Sequence, residues 1–207
     1  IASYKISDAV RDRATVEITC QSRLVQLHLL NKIIGDDFNK ITKDLDPDVI
    51  EHLSKKWSEL KAMLEDPDRL EVIAKDLVHH FTEKKKVLKG KAMLATSTKL
   101  AAARYADIIS KMKDGPKCTC IISGSPQTLD EDASEEKKSR EQVVSNHYKS
   151  KQEIIDIIGE YKDENNELEL LIVCDMYLTG FDAPVTHTMY IEKPMRDHNL
   201  IHALSRV

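Results

Sequence analysis

The chain has 207 residues, enough for one large domain or two small ones with a buried core. Hydrophobic residues make up 41% and charged residues 32%, with 6 Gly and 6 Pro, which excludes collagen-like, low-complexity and wholly disordered chains. Lys plus Arg number 31 against 35 for Asp plus Glu, so the formal net charge of -4 sets up no global field for nucleic acid and any DNA contact has to be local.

The longest apolar runs, such as the one within residues 168–174, fall short of the roughly 18 residues that span a bilayer, so no membrane segment is expected. The chain opens at Ile1 with no initiating Met and no basic-then-apolar signal pattern, and reads as an excised piece. Cys20, Cys118, Cys120 and Cys174 are dispersed, mostly within apolar runs, which favours reduced thiols and a cytoplasmic setting over a disulfide scaffold.

In chain order, residues 15–34 begin with Thr15-Val16-Glu17-Ile18-Thr19-Cys20 and suggest an extended segment. Asp46-Pro47 is a helix start, followed by Leu53, Trp57, Leu60 and Leu64 on one face. Asp66-Pro67 repeats the signal, and Leu70, Ile73, Ala74, Leu77, Val78 and Phe81 keep helical spacing up to the lysine run at 84–86. Together these predict a helical hairpin.

The second half changes rhythm. Ala92-Met93-Leu94-Ala95 is a continuous apolar run that ends in Thr96-Ser97-Thr98 and leads into an Ala-rich helix through Met112. Asp114-Gly115-Pro116 breaks that helix, residues 118–122 form the next strand, and Ser123-Gly124-Ser125-Pro126 turns it. A polar acidic loop at 128–138 precedes a helix expected near 140–158. Strands are expected at 168–174 and 188–191, and a last helix at 199–207. Strands that are apolar throughout belong to a parallel sheet with helices on both faces, so the fold class is α/β. Ligands of such sheets sit at the carboxyl ends of the strands, which here carry Thr96-Ser97, Ser123-Gly124 and residues 175–182.

Metal and hydrolase patterns are absent. Cys118 and Cys120 lack a second pair or a spaced Cys/His partner and read as buried thiols. His198 and His202 have helical spacing, but Asn199 stands where a zinc protease needs Glu. Ser123-Gly124-Ser125 is not a nucleophile elbow, the Trp57 stripe reads as core, and residues 84–86 read as a solvated helix end.

Leu171-Ile172-Val173-Cys174-Asp175-Met176-Tyr177-Leu178-Thr179-Gly180-Phe181-Asp182-Ala183-Pro184 resembles motif V of superfamily 2 helicases, in the form found in type I restriction enzyme motor subunits. His198-Asn199-Leu200-Ile201-His202-Ala203-Leu204-Ser205-Arg206-Val207 is similar to the start of motif VI, with His202 in place of Gln and Ser205 in place of Gly. Lys91 through Ser97 resembles motif IV, and residues 9–16 resemble the lead-in to the second motor lobe.

The resemblance implies a RecA-like lobe, akin to P-loop NTPases, divided into a lead-in segment and first strand at 1–35, an inserted helical hairpin at 36–86, and an α/β core at 87–207 cut within motif VI. It also implies the second motor lobe of an ATP-dependent translocase of double-stranded DNA. ATP and Mg2+ would be held mainly by a first motor lobe of the same chain, with methylation and specificity subunits as partners.

Because the phosphate-binding loop G-x-x-x-x-G-K-[ST] is absent, these residues alone are expected to be inactive. Carried over by position, Gly180 and Asp182 fall at nucleotide-approaching places, and Arg206 is the catalytic and nucleotide-binding candidate because a guanidinium can stabilise a transferring phosphoryl group. Thr96, Ser97, Ser123, Gly124 and Thr179 are the DNA-phosphate candidates, offering short donors and backbone amides near helix starts. The alternative from another class is a non-catalytic doubly wound scaffold that binds a nucleotide or partner without hydrolysis.

Overall fold

The computed structural model of the chain describes residues 11–12, 19–23, 60–126, 132–174 and 182–193. Most of the Trp57 stripe, most of the extended segment expected over 15–34, and the last helix at 199–207 lie outside these residues; the described part of that segment, 19–23, is not in a strand, and 60–64 is a helical end.

Helix α1 (Pro67–Lys85) starts where the Asp-Pro signal predicts. Asp66 Oδ1 accepts from the Arg69 amide at 2.9 Å, and Pro67 occupies the first turn, where no amide partner is needed. Its inward stripe is Leu70, Ala74, Leu77, Val78 and Phe81, and Lys84 and Lys85 complement the negative end of the helix dipole. The strands and helices that follow are β1 (Lys91–Thr96), α2 (Lys99–Ser110), β2 (Cys118–Ile121), α3 (Glu135–Ser145), α4 (Lys151–Lys162), β3 (Leu170–Cys174) and β4 (Thr186–Glu192).

The four strands form one sheet in the order β2-β3-β1-β4, and every pairing is parallel. This is the parallel α/β architecture that the apolar strands predict, and it agrees with the RecA-like lobe that the motif resemblance implies. Side-chain alternation sorts the strand residues onto two faces. Ala92, Leu94, Cys120, Leu170 and Ile172 pack with α1, α2 and Val144 of α3, whereas Met93, Ala95, Ile121, Leu171 and Val173 pack with Tyr161 of α4. Helix α1 therefore shares a core with the sheet.

The structure corrects two expectations here: α3 already begins at Glu135, within the stretch 128–138 read as a loop, because Ser134 caps it, and the single helix near 140–158 is two helices. Ser150 and Glu153 form a reciprocal capping box that starts α4 afresh, and the two helices cover opposite faces of the sheet, which one straight helix cannot do. Strand β4 also starts earlier, at Thr186, and ends on a charged residue, Glu192.

Two polar ties brace the layers. The buried Lys91 donates from Nζ to the carbonyls of Asp163 at 2.6 Å and Glu160 at 3.2 Å, capping the carbonyl end of α4 from the first residue of β1. Arg23 grips Asp76 of α1 with two hydrogen bonds, at 2.7 and 2.8 Å, which docks the segment 19–23 on that helix.

The Arg23 guanidinium holds the Asp76 carboxyl below its usual value. Stability from this pair is therefore present above the ordinary Asp pKa and lost as pH falls through the lowered one. Asp76→Asn should flatten that acid limb of the stability profile, with an effect below about 1 kcal/mol because both side chains are part-solvated. An unchanged acid limb in urea titrations of the variant would refute this.

Candidate functional site

Because all strands are parallel, the turns after β1 and β2 leave the sheet on the same carboxyl edge. Thr96, at the end of β1, has no exposed surface, and its hydroxyl donates to Val173 O at 3.1 Å and Thr98 O at 3.3 Å. It ties β1 to β3 from within. Ser97 is half-buried and donates to the Glu192 carbonyl at 2.7 Å, so β1 is joined to β4 at the same level. The N-cap of α2 is neither of these residues but Thr98, whose Oγ1 accepts from the Ala101 amide at 3.1 Å.

Ser123 is half-buried and Gly124 is exposed after β2, and Gly124 has φ +104°, a backbone region that favours glycine. A Cβ placed on Gly124 would stand 3.4 Å from Lys99 Nζ and 3.9 Å from Tyr148 Cε1. The fold thus brings the β1 and β2 turns together through a lysine on the first turn of α2. Tyr148 arrives from the α3–α4 connection, whose neighbouring His147 Nε2 lies 3.0 Å from Asp107 Oδ1 of α2. Lys99 has no ion-pair partner among the described residues, so its ammonium is available to an anion beside the amides that open α2.

Asp182 is exposed and lies on the crossover from the carboxyl end of β3 to the amino end of β4. The next residue, Ala183, is buried on the α4 face and accepts from the Thr186 amide at 2.9 Å. Thr179, Gly180 and Arg206 lie outside the described residues.

Sequence reasoning missed Lys99, Arg69 and Glu192. Each carried a signal: a cation on the first turn of a helix, where the dipole disfavours it, and a carboxylate directly after the apolar run Met189-Tyr190-Ile191. Arg69 Nη2 and Glu192 Oε1 approach to 2.6 Å, with side chains only 12% and 7% exposed. The approach is a charge contact rather than an aligned hydrogen bond, since Oε1 has no hydrogen-bond partner among the described residues. Burial pushes the Glu192 carboxyl above its ordinary value against the opposing pull of Arg69.

Cys118 and Cys120 of β2 are poor thiolates. Cys120 is fully buried and its thiol is pushed up to about 12 by burial, and burial also raises Cys118. Among the described residues, no group of three or more His, Cys, Asp or Glu side chains could hold a metal ion, and no helix is long and apolar enough to cross a membrane.

A parallel sheet with helices on both faces and its polar turns gathered at one carboxyl edge is a doubly wound α/β lobe. The family model for type I restriction enzyme subunit R domain 3 matches residues 88–207. Across its full length, the chain is 34% identical over 209 residues to the MjaIXP type I restriction enzyme endonuclease subunit of Methanocaldococcus jannaschii, of which it covers 19%. It is 32% identical over 216 residues to the HindI type I restriction enzyme endonuclease subunit of Haemophilus influenzae, again covering 19% of that protein. The chain belongs to the family of type I restriction enzyme R subunits, and it spans about a fifth of the length of these curated relatives.

Proposed function

We propose that this chain is the second motor lobe of an ATP-dependent double-stranded DNA translocase within a type I restriction-modification enzyme. The observation that carries the reading is the carboxyl edge itself, where Lys99, without an ion-pair partner among the described residues, meets the Gly124 turn at the start of α2, in a lobe of an R subunit. Lys99, Ser123 and the amides around Gly124 would hold a DNA phosphate locally, which suits a chain of net charge -4. Thr96 and Ser97 would act one step back, since their hydroxyls are engaged in holding the turn. Thr179 would add a hydroxyl to the same phosphate track.

On the nucleotide side, the exposed Asp182 carboxylate has no side-chain partner among the described residues and fits acceptance of ribose hydroxyls. Gly180 would allow close backbone approach, and Arg206 would reach across the cleft to the phosphates. ATP with Mg2+, held mainly by the first lobe, supplies the phosphoryl-transfer energy that opens and closes the two lobes. Methylation and specificity subunits would choose the DNA, and a cytoplasmic location follows from that substrate.

The test is ATP hydrolysis by the full-length parent subunit with and without duplex DNA, using this chain alone as control. The expected result is DNA-stimulated turnover by the parent and none by the chain. Asp182→Ala in the parent should lower the DNA-stimulated rate by about tenfold or more while leaving the lobe folded, as for a residue that contacts nucleotide. Wild-type turnover in that variant removes Asp182 from the site. A folded parent without turnover favours a scaffold role instead.

A further inference from the structure

The connection between α1 and the carboxyl edge is built from buried charge. Glu192 ends β4, and its two ends hold different elements. Its carbonyl accepts from Ser97 Oγ at 2.7 Å, and its carboxylate lies 2.6 Å from Arg69 on the first turn of α1, with Ser97 Oγ also 3.4 Å from Oε2. Arg69 in turn donates from Nη1 to the Leu64 carbonyl at 3.1 Å, ahead of α1. The fully buried Tyr105 of α2 completes the surroundings: Glu192 and Arg69 are the charges that act on its hydroxyl, which has no hydrogen-bond partner among the described residues.

Burying such a pair is a poor route to stability, because desolvation of both ions offsets most of their attraction. Apolar side chains of the same volume would hold α1 on the sheet as well. What a charged pair adds is direction. It fixes one alignment of the α1 start, the β1 turn and the end of β4, the strand that leads towards residues 194–207.

We propose that Glu192 is a positioning residue that locks α1, the Ser97 turn and the end of β4 into one rigid unit, so that the DNA-side turns stay aligned with the nucleotide side of the lobe. The proposal rests on the motor reading above. Loss of this lock leaves both ligand sites chemically intact but misaligned with each other, which slows the coupled step rather than weakening binding.

The test uses the full-length parent subunit with E192Q and with the double variant R69M/E192M, in which apolar volume replaces the pair. DNA affinity and the KM for ATP should stay within about twofold of wild type, while the DNA-stimulated kcat falls by on the order of tenfold to a hundredfold, the signature of lost alignment. The result is read on whichever variant keeps wild-type melting. Wild-type kcat in a folded R69M/E192M protein overturns the proposal, because the pair would then be only structural. Failure of both variants to fold overturns it for the same reason. Absence of DNA stimulation in the wild-type parent is a different failure, since it removes the motor reading itself and this proposal with it.

Discussion

Replacing Gly90 by alanine should destabilise this chain by about 2–4 kcal/mol, the sum expected of a strained backbone and a forced displacement in a packed sheet. Gly90 has φ +140°, and an added Cβ would stand 2.5 Å from His187 Cδ2 and 2.9 Å from the Val185 carbonyl. Neither neighbour is free to give way. The Val185 carbonyl accepts from the Lys91 amide at 2.7 Å, the bond that opens the β1–β4 pairing, and His187 lies within β4 with its ring beside Phe81. The pairing already shifts register between Lys91 and Ala92, so little slack is left at this point. Valine at the same position should cost more than alanine, because a branched side chain tolerates positive φ least. Urea unfolding monitored by far-UV circular dichroism measures both, and an alanine variant within about 0.5 kcal/mol of wild type would contradict the argument.

The second large effect is expected at Arg140. Glu65, just ahead of α1, is 2% exposed, and its carboxylate is paired with Arg140 of α3. Arg104 reaches the same residue, but it donates to the main-chain carbonyl and leaves the carboxylate to Arg140 alone among the described ion pairs. Arg140→Met should therefore strand a buried charge at a cost of about 2–4 kcal/mol, towards the lower end because water reaches Arg140 itself. Adding Glu65→Gln removes the stranded charge and should recover part of that loss. The double-mutant cycle reports the coupling directly. Additive losses, or an Arg140→Met variant as stable as wild type, would show that Glu65 finds another partner. A destabilised α3 should also loosen the α3–α4 connection that carries Tyr148 to Gly124, so, on the motor-lobe function proposed above, the DNA affinity of the parent subunit is expected to fall along with stability.

What could be read directly from the order of residues is local. Asp66-Pro67 marked the start of α1, the Ala92 run marked β1, and Asp114-Gly115-Pro116 ended the helix before β2, because caps, breakers and apolar periodicity act over a few neighbours. The α/β class followed from strands apolar on both faces, and the motif V and VI resemblances marked the family that the comparisons identify.

The tertiary structure alone decided the rest. Strand order β2-β3-β1-β4 depends on pairings between segments far apart in the chain, which no local window contains. The break between α3 and α4 was masked by continuous helical character and was settled by the need to cover two faces of one sheet. Thr96 and Ser97 looked alike as exposed hydroxyl donors. Only the fold turned one inward to Val173 and the other across to Glu192, and left Lys99 to face Gly124. The Arg69–Glu192 and Arg140–Glu65 pairs were invisible for the same physical reason: a charge shows its sign in the sequence, but its burial and its partner exist only once the chain has closed around it.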